Sequence, residues 1–193
     1  MKILLIWFLA YLLGSIPVGI LVAEWFKSGD PRSLGSGNIG ATNIARTAGK
    51  KAGLITLSGD CLKGLSAVLL ARFLGAGDGV TALAGLAAFL GHLYPVFSGF
   101  KGGKGVATAL GIFLALTPGA TLGGALLFAL VTAITRFVSL GSIAAAITMP
   151  VFICQTGASW KIVYSALIMS GFIIYKHKSN IMRLCMNQEN RLF

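Results

Sequence analysis

A chain of 193 residues that is 56% hydrophobic and only 11% charged, with a mean hydropathy of +0.86, excludes a soluble globular enzyme and reads as a single integral membrane domain, residues 1–193. Its 16 lysines and arginines against five acidic residues leave a net charge of +11, which in a membrane protein serves topology and anionic partners, and no nucleic acid is expected. Cys61, Cys154 and Cys185 show neither metal-ligand nor CxxC spacing, so they suggest no disulfide framework and no zinc site.

Helical crossing of a bilayer takes roughly 17 to 25 apolar residues. The first such run, about 3–25, follows Lys2; it is too long for a signal-peptide core and lacks a clear cleavage pattern, so it is expected to be a retained span. Further spans are predicted at about 53–74, 80–97, 103–116, 119–134, 138–156 and 160–175. The fourth and fifth are interrupted by Thr117-Pro118-Gly119 and read either as one long kinked helix or as two short ones. Charge favours two. With seven spans, Lys27, Arg32, Arg46, Lys50, Lys51, Lys101, Lys104, Arg136, Lys176, Lys178, Arg183 and Arg191 fall on one side, and only Lys2, Arg72 and Lys161 on the other. Six spans would split the cations almost evenly, against the positive-inside rule. The expected fold class is therefore all-α and polytopic, with seven transmembrane helices, the N-terminus outside and the C-terminus cytoplasmic.

The same topology puts four polar segments on one face, where they are expected to form one pocket. In the first, residues 26–51, small donors alternate with glycine. Ser36, Asn38, Thr42 and Asn43 offer hydroxyls and amides, Arg46 offers a planar fork to phosphate, and Lys50 adds charge. Interleaved Ile39, Ala41, Ile44 and Ala45 suggest a loop packed into the bundle rather than a linker. Within the second span, Asp60 and Lys63 share a helix face at membrane depth, where an isolated charge is costly, so pairing is expected. His92 ends the third span and reads equally as a structural hydrogen-bonding residue or a ligand contact.

The second polar segment, Gly99-Phe100-Lys101-Gly102-Gly103-Lys104-Gly105, is an anion site held at a membrane edge just where a helix begins. Glycine lets backbone NH groups approach a phosphate, and the following helix directs its unpaired NH groups and positive dipole end at the same place. The third, Arg136 with Ser139 and Ser142, sits where a span re-enters the membrane and can donate from a helix N-terminus. The fourth is the tail, where His177 is flanked by cations and Asn180 can orient a ligand oxygen.

Some chemistries are excluded. Neither histidine has an aspartate five residues on, because Phe97 and Met182 stand there, so the acid/base pair of thioester-using glycerolipid acyltransferases is missing. Lys104 is followed by Gly105, which breaks the Walker A pattern, and five acidic residues leave little for a magnesium cage or a proton relay. A site rich in cations and donors but poor in bases suits two phosphorylated reactants and a donor already activated. A transporter for a phosphorylated small molecule would share the cationic pocket, but would place polar residues near the midplane with an exit on the far side.

The motifs resemble those of the bacterial acyl-phosphate-dependent glycerol-3-phosphate acyltransferases. The likeness runs through Gly14-Ser15-Ile16-Pro17, Gly35-Ser36-Gly37-Asn38 to Arg46, Asp60 with Lys63-Gly64, Gly91-His92 with Pro95, Gly102-Gly103-Lys104-Gly105, Arg136 with Ser139 and Ser142, and His177 with Asn180-Ile181 and Arg183-Leu184. Lys176 and Lys178 stand where that family often has arginine, and Asn187 where a glycine is usual; asparagine tolerates left-handed backbone, so the turn is expected to survive.

The resemblance implies fatty acyl phosphate as donor and sn-glycerol 3-phosphate as acceptor, with membrane lipid around the protein and no cofactor or metal. It allows a transient contact with the enzyme supplying acyl phosphate, and implies a bacterial inner (cytoplasmic) membrane location with the active site facing the cytoplasm. On this reading Lys104, Ser142, His177 and Asn180 are catalytic. Gly102, Gly103 and Gly105 cradle one phosphate, Ser36, Arg46 and Lys50 take the other, and Asn38, Thr42, Asn43 and Ser139 line the binding segments.

Overall fold

The apolar runs fold as helices. The computed structural model describes residues 1–192, and among them it contains ten α-helices, one 3-10 turn and no strand. The chain divides into two compact units, one ending at Ala115 and the other starting at Leu116. The first comprises α1 (Lys2–Ser15), α2 (Val18–Trp25), α3 (Ala41–Thr47), α4 (Lys50–Phe73), α5 (Asp78–Leu93), a 3-10 turn (Val96–Ser98) and nearly all of α6 (Val106–Leu116). The second comprises α7 (Pro118–Thr135), α8 (Val138–Gln155), α9 (Trp160–Lys176) and α10 (Lys178–Cys185). Among the described residues five stretches are apolar and long enough to cross a membrane: Lys2–Trp25, Lys50–Phe73, Asp78–Ser98, Pro118–Thr135 and Val138–Gln155. The helices α6 and α9 are shorter, at 11 and 17 residues.

In the first unit α1, α4 and α5 pack on one another, with α2 and α3 against α4. Small residues make the seams. A Cβ on Gly14 would strike the Ala88 carbonyl, and one on Gly91 the Tyr11 carbonyl, so α1 and α5 approach backbone to backbone. In the second unit α8 packs on α7 and α9, and α10 on the end of α9. Leu122, Leu126, Leu130 and Ile134 recur every four residues along α7 and are all exposed, the stripe expected where lipid replaces water. Buried hydroxyls bond back along their own helices, Thr56 to the Ala52 carbonyl, Thr121 to Thr117 and Ser142 to Val138, which satisfies polar groups in hydrocarbon.

Two breaks matter for function. The first run is not one uninterrupted helix: it stops at Ser15 and restarts at Val18. Pro17 has no NH to donate and drives the residue before it out of the helical region, and Ile16 is extended at φ −60°, ψ 116°. The Ile16 carbonyl thereby falls outside the helical ladder, taking Val18 NH at 3.0 Å and keeping room for a second donor. The second break is at Thr117, with φ −146° and ψ 71°. Pro118 then opens α7 as its first residue, where a missing NH costs nothing, so the ambiguous segment is two helices.

Candidate functional site

The glycine-rich loop follows α5 and the 3-10 turn, after which Gly99 and Phe100 are both left-handed, at φ 64° and 61°. It then folds back under α5. Gly103 NH donates to the His92 carbonyl and Gly102 NH to the Leu93 carbonyl, each at 3.2 Å, so two carbonyls left over at the helix end are satisfied. These two amides therefore serve the loop's own fold, which narrows the expected cradle to Lys104, Gly105 and the first turn of α6. Gly105 is required twice over: its φ is +85°, and a Cβ there would run into the Phe89 ring. Lys104 is half-buried, and Lys101 is exposed.

Asp60 and Lys63 pair as expected, at 2.9 Å, and both are buried. Lys63 Nζ also donates to the Ile16 carbonyl at 2.8 Å, the acceptor released by the break before Pro17. His92 Nδ1 lies 3.4 Å from the same Asp60 oxygen, an electrostatic contact looser than a well-formed hydrogen bond.

The first loop is built around Asn43, which is buried on α3. Its Oδ1 accepts from Ser36 NH at 2.8 Å, and its Nδ2 reaches the carbonyls of Pro31, Leu34 and Asn38 at 3.1, 3.0 and 2.8 Å. Asn38 Oδ1 takes Gly40 NH at 2.8 Å. Asn43 and Asn38 thus hold the loop's shape. What they leave outward are Ser36, Arg46 in the last turn of α3 and Lys50 at the start of α4, all three exposed, with Thr42 half-buried on α3.

In the second unit the organiser is a residue that the sequence did not reveal. Glu189 Oε1 accepts from Ser139 Oγ at 2.9 Å and from Asn180 Nδ2 at 2.7 Å, while Oε2 takes Arg183 Nε at 2.8 Å. Burial alone would raise this carboxyl, but hydrogen bonds from Asn180, Arg183 and Ser139 outweigh it and hold it below the usual glutamate range. Asn187 makes the turn that returns Glu189, at φ +55°, with its NH on the Leu184 carbonyl and Gln188 NH on Arg183, so asparagine does the work of glycine as expected. Leu192 NH then bonds to the Arg136 carbonyl. Ser139 and Asn180 are therefore held by the tail.

His177 is buried, and its Nδ1 lies 2.7 Å from the Ile173 carbonyl. A carbonyl can only accept, so Nδ1 carries a proton and, in the neutral ring, Nε2 is the acceptor nitrogen. Ser142 Oγ donates to the Val138 carbonyl at 2.8 Å, so its lone pairs remain as acceptors. The only signal that could have found Glu189 is scarcity: an acid in a cationic tail of a chain with five acids needs a reason. Among the described residues no group of histidine, cysteine and carboxylate side chains could hold a metal ion.

The glycerol-3-phosphate acyltransferase family model matches residues 4–187. Curated relatives named glycerol-3-phosphate acyltransferase include one from Geobacter sulfurreducens, 54% identical over 183 residues that cover 94% of this chain and 93% of the relative. Another, from Burkholderia lata, is 45% identical over 195 residues, covering 100% of this chain and 92% of the relative. The chain is similar to the crystal structure of PlsY, an integral membrane glycerol 3-phosphate acyltransferase, in its glycerol 3-phosphate form, with 43% identity, a TM-score of 0.94, and 99% of this chain and 96% of that one covered. Its lysophosphatidic acid form gives 42% identity and a TM-score of 0.91, with 99% and 95% covered.

Proposed function

Because the chain belongs to the glycerol-3-phosphate acyltransferase family, we propose that it moves a fatty acyl group from acyl phosphate to the sn-1 hydroxyl of glycerol 3-phosphate, giving lysophosphatidic acid and inorganic phosphate. The observation that carries this reading is the family match over residues 4–187, joined by the likeness to structures solved with the acceptor and with the product. The whole chain acts as one catalytic domain in the bacterial inner membrane. It has seven spans: the α1–α2 pair, α4, α5, α6, α7, α8 and α9. The N-terminus is outside, and the site and the C-terminus are cytoplasmic; the charge asymmetry supports this orientation.

The chemistry follows from the donor. Acyl phosphate is a mixed anhydride. The acceptor oxygen attacks the acyl carbon, an oxyanion forms, and the bond to the phosphate oxygen breaks as phosphate leaves. The protein must hold two phosphates and offset developing charge. Lys104 and Gly105, with the first turn of α6, serve one phosphate, and Ser36, Arg46 and Lys50 the other. Ser142, His177 and Asn180 act on the reacting groups, supported by Ser139, and the acyl chain lies in lipid-facing apolar surface. No general base is needed. Asp60 and Glu189 are engaged with internal partners, and His177 has its Nδ1 on the Ile173 carbonyl. The hydroxyl proton passes to the departing phosphate.

Purified protein given glycerol 3-phosphate with acyl phosphate should release phosphate and lysophosphatidic acid one for one. With acyl thioesters it should make neither. Equal use of thioesters, or label trapped in vesicles without product, would sink the reading.

A further inference from the structure

Under the glycine-rich loop lies a buried charged group to which acyl transfer assigns no task. One oxygen of Asp60, on α4, meets Lys63 Nζ at 2.9 Å and His92 Nδ1, on α5, at 3.4 Å, and none of the three side chains is more than 5% exposed. A carboxylate needed only to neutralise Lys63 could do so without facing the imidazole. This one presents the same oxygen to both.

His92 meets the loop in two ways. Its carbonyl takes Gly103 NH at 3.2 Å. Its ring lies flush against the Gly103 backbone: a Cβ there would collide with Nε2 and come within 2.9 Å of Cε1, and these ring atoms are the nearest it would meet. Gly103 is not in the left-handed region, so its backbone conformation would accept alanine. What opposes a side chain at that position is the imidazole.

We infer that His92 is a positioning residue that seats the loop carrying Lys104, and that Asp60 acts through it by fixing the orientation of the ring. A run of glycines has many conformations to lose, and a cation that must meet a phosphate tolerates little displacement, so a rigid floor is worth having. Asp60 and Lys63 are themselves anchored, through the Ile16 carbonyl, to the break between α1 and α2. The loop is thereby referred to three helices of the first unit rather than to its own two ends. The inference rests on the acyl-transfer reading for what the loop holds, but not for how the loop is held.

The test is a double-mutant set in the full-length protein, in detergent or vesicles: Gly103→Ala, His92→Asn, His92→Ala, Asp60→Asn and the combinations. His92→Asn keeps a donor near Asp60 and removes the ring edge that faces Gly103. Wild-type activity with acyl phosphate and glycerol 3-phosphate is measured first; its absence defeats the acyl-transfer reading and nothing else.

Gly103→Ala is expected to lower kcat/KM about tenfold or more in the wild-type background and less than about twofold once residue 92 is asparagine or alanine. The loss should appear in the same parameter, KM for one phosphorylated substrate or kcat, that Lys104→Ala moves. A purely structural lesion would instead lower Vmax with the folded fraction and leave both KM values alone. Hydrogen exchange of residues 101–105, read without turnover, should quicken in His92→Asn and Asp60→Asn, and combining those two should add little. Equal cost of Gly103→Ala in both backgrounds, or unchanged exchange of the loop, would overturn the proposal.

Discussion

Each unit gathers its polar residues around one acid, and the two acids solve different problems. Asp60 lies at membrane depth in the first unit, where its partners are a buried lysine and a buried histidine and the chain has bent a helix to supply Lys63 with a carbonyl. Glu189 lies in the tail of the second unit, where its partners are a serine, an asparagine and an arginine drawn from α8 and α10. In hydrocarbon the charges must cancel one another, because no water will do so. At the tail the carboxylate instead serves as an acceptor that orders neutral and cationic donors, with water nearby. The difference teaches that a net charge of +11 does not mean an unstructured cationic surface: the few acids decide which donors are held and which remain for phosphate.

The comparison can be broken most severely at Asp60. Asp60→Ala strands Lys63 in the membrane and should cost about 3–5 kcal/mol of stability, seen as a large drop in the detergent melting temperature. Replacing both residues with leucine and methionine should recover most of that loss while leaving any loop-seating defect visible in activity. If the single variant melts like wild type, the charges were never desolvated. Next in size, Lys104→Ala should lower turnover at least about a hundredfold, without a change in melting temperature, if that lysine offsets developing charge.

Glu189→Gln sharpens the other half. It keeps the shape but loses the charge-assisted bonds to Arg183, Asn180 and Ser139, for an expected cost of about 1.5–3 kcal/mol confined to the tail, visible as faster proteolysis after α10. The pH dependence has a definite sign. Because the folded carboxyl titrates below its ordinary value of 4.5, its contribution is complete above that pH and lost as the pH falls further. Tail protection should therefore fade below about pH 4.5 in the wild type, and glutamine should remove that transition. The smallest effect is expected of His177→Ala, which should keep turnover within about tenfold if the departing phosphate takes the proton; complete loss with unchanged binding would make the imidazole the base.

Much of this was legible in the sequence, and the misses have physical causes. The apolar runs, the pairing of Asp60 with Lys63 and the left-handed Asn187 are local consequences of hydropathy, helical spacing and backbone sterics. The break at Pro17 was equally local, but a span-length view of residues 3–25 passed over it. Asn43, Ser139 and Asn180 are expected as ligand contacts from their residue types, but that they also hold the first loop and the tail was not legible. Their partners lie up to 50 residues away, in Ser139 with Glu189, and no short pattern announces such a distance.

By itself, then, the chain's composition and periodicity determined that this is a helical membrane protein, where its apolar helices run and which segments carry cations, while its motifs carried the resemblance to this family, because burial of apolar length and helix geometry act over neighbouring residues. Tertiary structure alone decided which donors are already engaged: that the amides of Gly102 and Gly103 close off α5, that Lys63 answers the Ile16 carbonyl, and that Glu189 gathers α8 and α10. Hydrogen-bond acceptors are satisfied by whatever folding brings within about 3 Å, and that proximity is a property of the packed chain.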